Sequence, residues 1–168
     1  MGKVVVAVDP SGTAGDGVGD CIGIVVTGLG VDGRFYILED ASCNLSPEQW
    51  ARRVIAAYHF HKADQVIAEN NFGSAMVEAL IRVADPQVSY KSVFAGRGKI
   101  VSAEPIAALY EKGRVSHAGT FAELEDRLAN MTPTGNVGEG SSGRADALVW
   151  ALSELALQPN RTVTAIAR

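Results

Sequence analysis

The chain is short of several things, and each shortage narrows what it can be. Cysteine occurs only twice, as Cys21 and Cys43. Their separation suits neither a metal-ligand pair nor a disulfide framework, so reduced thiols in a cytosolic protein are expected. No uninterrupted apolar run approaches the roughly 20 residues that cross a bilayer, so no transmembrane helix and no membrane partner are expected. Met1-Gly2-Lys3 runs straight into Val4-Val5-Val6, without the apolar core and cleavage site of a signal peptide. Positive charge is also scarce. Lys and Arg number 15 against 19 Asp and Glu, a formal charge of −4, so no overall field would hold this chain to a polyanion. A site that itself concentrates carboxylates, their charge offset by a bound cation, remains open.

What is present is a chain of 168 residues with 47% hydrophobic content, enough to bury one ordinary core. No repeat and no compositional break divides it, so residues 1–157 read as one domain and 158–168 as a C-terminal tail. Val4 to Val8 has the length and β-branching of a buried strand, ending at Asp9. A glycine-rich loop, 10–20, follows. Cys21–Thr27 and Arg34–Glu39 read as two strands joined through the turn Gly30-Val31-Asp32-Gly33. Ser46-Pro47-Glu48-Gln49 is a helix start, with Ser as cap, Pro at the first helical position and Gln three residues beyond the cap. That helix runs to about His61. A short strand at 65–69 follows, then a helix over Ser74–Ala84 and a strand over Tyr90–Phe94. A helix at about 102–112, a short strand near Val115 and a helix near 120–129 come next. Asn130–Ser142 has no periodicity and reads as a mobile loop. The last helix, 143–157, sets Ala145, Leu148, Val149, Leu152 and Leu155 on one face. Three strands followed by strands alternating with helices describe an α/β fold. Its mixed sheet has three antiparallel strands, then strands returned by right-handed crossovers parallel to the first, with helices on the flanks. This is the ribonuclease H-like arrangement.

Three acids stand at the boundaries of apolar elements: Asp9 and Glu69 at strand ends, Asp146 in the first turn of the last helix. Singly, each has an ordinary structural reading as a loop residue, a cap or an acid offsetting a helix dipole. In the expected sheet, however, the first and fourth strands are parallel neighbours, so Asp9 and Glu69 emerge at one edge, the usual ligand edge of such sheets. Asp146 borders the apolar stripe that packs on that sheet. Carboxylates turned inward at a core's rim are costly without a positive partner. Oxygen-only ligands point to Mg²⁺ or Mn²⁺ rather than zinc. Two ions about 4 Å apart would suit phosphodiester hydrolysis by activating a water and stabilising the leaving 3′ oxygen. Asp16 and Asp20 in the loop are candidates for auxiliary ligands. Lys91, Arg97, Lys99, Arg114 and Arg144 are candidate phosphate contacts near the same edge, with Arg144 foremost because it adjoins Asp146. His117 could move protons but suits a structural role better, and His59 and His61 read as surface residues.

These stretches resemble the C-terminal nuclease domain of the large terminase subunit of tailed bacteriophages. The resemblance rests on Ala7-Val8-Asp9-Pro10, the run from Gly19-Asp20 to Val26, Ala68-Glu69-Asn70-Asn71-Phe72-Gly73, the run from Glu104-Pro105 to Val115, and Gly143-Arg144-Ala145-Asp146-Ala147-Leu148-Val149-Trp150-Ala151-Leu152. It implies a metal-dependent endonuclease that cuts concatemeric phage DNA during genome packaging, with little sequence preference. The implied catalytic and metal-binding residues are Asp9, Glu69 and Asp146, with Asp20 as a further metal ligand and Arg144, Lys99 and Arg97 as DNA contacts. The implied partners are double-stranded DNA and, in the full-length protein, an ATPase motor domain, the portal and the small terminase subunit, in the cytoplasm of the bacterial host. The motor is not in this sequence, which has no Gly-x-x-x-x-Gly-Lys-Ser/Thr phosphate loop; Gly96-Arg97-Gly98-Lys99 lacks the spacing. Three other readings stay open. A RuvC-type Holliday-junction resolvase shares the strand-end acids. An actin-like ATP-binding domain shares a faint likeness at Asp9-Pro10-Ser11-Gly12-Thr13 but needs a second domain. An inactive DNA-docking module would need one of the three acids lost, and none is.

Overall fold

The computed structural model describes residues 1–10, 21–70, 72–94, 99–132, 135–136 and 143–157. Its centre is a six-stranded sheet built from β1 (Lys3–Asp9), β2 (Gly23–Leu29), β3 (Phe35–Asp40), β4 (Gln65–Glu69), β5 (Tyr90–Val93) and β6 (Val115–His117). The strand order is β5-β4-β1-β2-β3-β6. β1, β2 and β3 form an antiparallel meander, whereas β4 joins β1, β5 joins β4 and β6 joins β3 in parallel. Every strand except β2 therefore runs the same way, and their C-terminal ends share one edge. The hairpin forms where the glycines require it. Gly33 adopts φ +76°, Gly33 N–H donates to the Gly30 carbonyl at 3.0 Å, and Gly30 N–H donates to the Arg34 carbonyl at 2.8 Å.

β1 is apolar on both sides because it is covered on both sides. Val4, Val6 and Val8 face a core made with Trp50, Val54, Val77 and Ile81 of α1 (Pro47–Phe60) and α2 (Phe72–Ala84). Val5 and Ala7 face a second core with Ile37, Ile67, Ile106, Leu124, Leu148 and Leu152. That second layer comprises α3 (Lys99–Glu111), α4 (Ala122–Ala129) and α5 (Gly143–Leu157). The α/β ribonuclease H-like arrangement read from the sequence is the observed one.

Several local expectations are corrected. α2 begins at Phe72 and α3 at Lys99, each earlier than periodicity suggested, and α3 carries Pro105 within it. The stretch expected to be an unstructured loop contains a small antiparallel ribbon, β7 (Met131–Thr132) with β8 (Gly135–Asn136). Two-residue strands leave no readable alternation, which is why pattern alone missed them. α5 is not a one-sided helix. Ala145, Ala147, Leu148, Val149, Trp150, Ala151 and Leu152 are all buried, since the sheet covers one side and α3 and α4 the other. The expected tail, 158–168, and the loop residues Asp16 and Asp20 lie outside the described residues.

Candidate active site

Asp9 is the last residue of β1 and Glu69 the last of β4. Their strands pair in parallel up to Val8 opposite Ala68, so the two acids are the next residues on neighbouring strands. Alternation sets their direction. Asp9 shares the side of Val5 and Ala7, and Glu69 that of Ile67, all in the core beneath α5. The third acid arrives on that helix, where Asp146 lies in the first turn. What brings this turn to the rim is Gly23, the antiparallel partner of Asp9 on β2. A methyl group at Gly23 would fall inside the Gly143 carbonyl and 3.0 Å from the Arg144 nitrogen. The start of α5 is thus seated on the backbone beside Asp9.

Asp9 is 1% exposed and Asp146 8%. Burying carboxylate charge is expensive unless positive charge or donors meet it. The N-terminus of α5 directs partial positive charge to this rim. Among the described residues, no three of His, Cys, Asp and Glu stand close enough together to hold one cation. The three acids therefore share a rim and a face without closing into a ligand cage. The donor chemistry fits a hard divalent ion, since all three offer only oxygen.

The basic candidates fall in different places. Arg144 is tied down: its Nε donates to Asp40 Oδ2 at 3.0 Å, and a terminal nitrogen pairs with Glu123. Lys91 does not serve the rim, because its ammonium bonds at 2.6 Å to Glu154, a buried acid of α5. Arg114 lies at the opposite edge. It precedes β6, where its carbonyl accepts from Phe35 at the start of β3, and its guanidinium donates to the Gly33 carbonyl at 2.6 Å and stands over the Phe35 ring. Lys99 opens α3, and Arg97 lies outside the described residues.

The histidines are each bound to separate acids. His117 is held between the Tyr110 hydroxyl at 2.9 Å and Glu125 at 3.0 Å. Burial pushes the Tyr110 phenol far up, while the bond from His117 draws the Glu125 carboxyl below its usual range. His59 pairs with Asp85 and His61 with Glu39, each at 2.7 Å. His61 is mostly covered rather than a surface residue. Sequence reasoning missed Asp40 and Glu123. Asp40 carried the same signal as Asp9 and Glu69, an acid closing a strand that ends at this edge.

A family model described as the Terminase RNaseH-like domain matches residues 6–155. No curated protein matches the chain. Among solved structures, the large terminase nuclease from thermophilic phage G20c is similar, with TM-score 0.63, 19% identity, 90% of this chain and 82% of that one covered. The HK97 bacteriophage large terminase gives TM-score 0.64 and 14% identity, covering 92% of this chain and 40% of that longer one. T. thermophilus RuvC in complex with Holliday junction substrate gives TM-score 0.52 and 18% identity, with 90% and 92% covered. Likenesses at these identities establish the ribonuclease H-like fold.

Proposed function

The chain belongs to the Terminase RNaseH-like domain family, and from that premise we propose that it is a divalent-metal-dependent DNA endonuclease. Family and fold support a nucleic-acid hydrolase. The observation that carries the finer reading is the gathering of Asp9 and Glu69 on neighbouring strand ends beneath α5, whose first turn brings Asp146 to the same face.

Asp9, Glu69 and Asp146 would hold Mg²⁺ or Mn²⁺, with Asp9 central between its two neighbours and Asp20 a further ligand. Bound there, two ions supply an activated water and stabilisation of the leaving 3′ oxygen. The chain's own part is to fix the acids. β1 and β4 set two of them by register, and the seat on Gly23 sets the third. As the resemblance to terminase nucleases implies, cutting has little sequence preference. The substrate is concatemeric phage DNA during genome packaging, in the cytoplasm of the bacterial host. The HK97 large terminase is longer than its matched part, and we place this chain similarly beside an ATPase motor domain, portal and small terminase subunit. Residues 1–157 form the nuclease domain and 158–168 a tail.

Plasmid digestion with Mg²⁺, Mn²⁺, Ca²⁺ and chelator tests this. Cleavage is expected with Mg²⁺ or Mn²⁺ and none with chelator. Asp9→Asn, Glu69→Gln and Asp146→Asn should each abolish it while circular dichroism stays native. Retained cutting by any of the three in Mn²⁺ would overturn the assignment. The fold is shared with RuvC, so a branched substrate belongs in the same assay. A strong preference for the junction over linear duplex would favour a resolvase instead.

A further inference from the structure

The guanidinium of Arg144 sits between two carboxylates of opposite character. Asp40, its partner through Nε, has a side chain 10% exposed and closes β3. Its other oxygen accepts from the Ser42 backbone N–H at 3.1 Å. Glu123, the partner on the terminal nitrogen, lies in the first turn of α4 with its side chain 73% exposed. A largely covered charge pair is harder to break than an exposed one, because its members regain little hydration on parting. An exposed pair competes with water and salt and is readily exchanged. One arm of the guanidinium is therefore anchored and the other is held by a replaceable acid.

Arg144 lies two residues before Asp146, and its backbone nitrogen borders Gly23, the partner of Asp9. Asp40 closes β3 at the same sheet edge at which β1 and β4 end, so the guanidinium it holds lies along that edge on the side of α4. A phosphodiester presents a guanidinium with much the same pair of anionic oxygens as a carboxylate. Resting on the nuclease reading above, we propose that Arg144 binds a DNA backbone phosphate and that Glu123 occupies that phosphate's place in the free protein. DNA displaces Glu123, while Asp40 keeps the guanidinium held at that edge. Glu123 is then a built-in competitor that raises the phosphate density needed for engagement. A lone anion gains little by exchanging with it, whereas a polyanion delivers many phosphates at once.

The test is binding of a labelled random-sequence duplex in Ca²⁺ to wild type, Glu123→Gln, Arg144→Gln and the double variant, with Glu78→Gln as a control. Glu78 is another acid ion-paired to an arginine, on α2. Glu123→Gln should bind about two- to fivefold tighter than wild type, the factor an exposed ion pair accounts for. Arg144→Gln should weaken binding and lower the salt slope by about 1. The gain from Glu123→Gln should vanish in the double variant. The proposal fails if Glu123→Gln binds no tighter than Glu78→Gln, or if its gain persists without Arg144. Should Arg144→Gln not fold, the comparison of Glu123→Gln with Glu78→Gln decides alone. Wild type that cuts with Mn²⁺ while Glu123→Gln has no effect sinks this inference only. Wild type that neither cuts nor binds duplex sinks the nuclease reading beneath it.

Discussion

Gly23 is the residue on which the geometry of the rim turns. The carbonyl of Gly143 occupies the space a side chain at Gly23 would need. Gly23→Ala must therefore push the first turn of α5 outward. The overpacking should cost about 1–3 kcal/mol in denaturant unfolding. Cleavage should fall by more than that loss of stability explains, because Asp146 rides on the displaced turn. Full cleavage by a folded Gly23→Ala protein would show that the seat is not what sets the third acid. This residue also marks where reading the sequence stopped. Asp9, Glu69 and Asp146 could be singled out because each closes or opens an apolar run. Gly23 looked like one glycine among 18, and nothing local says that a helix begun at residue 143 lands on it. Arg144 was legible as a basic neighbour of Asp146. Its ties to Asp40 and Glu123 were not, since they join three separate elements.

Elements with strong local signals were read closely. α1 starts where its capping box put it. The Gln49 backbone N–H donates to Ser46 Oγ at 3.4 Å, and the Ser46 N–H returns the bond to Gln49 Oε1 at 3.3 Å. Ser46→Ala removes the side-chain half of this exchange and should lower unfolding free energy by about 0.5–2 kcal/mol. The cap lies on the opposite face from α5, so plasmid cleavage below the melting range should not change. A loss of activity matching that of Gly23→Ala would contradict the division of labour between the two faces. Elements without such signals were read poorly. α5 was expected to bury one stripe, yet it is covered nearly all round, because α3 and α4 close over it. Single-sequence periodicity reports the core face of a helix but not a second layer arriving from elsewhere in the chain.

At the scale of the whole molecule, charge and fold pull in different directions. A formal charge of −4 provides no long-range attraction for DNA. Affinity must come from a few phosphate contacts, so it should be weak and fall steeply with salt. The isolated chain is expected to cut plasmid slowly, to stop cutting as salt rises through the physiological range, and to leave ends without a common sequence. Sequencing the ends and titrating salt checks this. A single recurrent cleavage sequence, or activity indifferent to salt, would count against it.

The order of assembly has its own result. Within this chain β1 and β4 are made before α5, the helix that completes the rim, which follows the whole sheet. A nascent chain thus carries two of the three acids well before the last exists. On the proposed reading, the acidic site cannot be complete until α5 has been made and seated on the sheet.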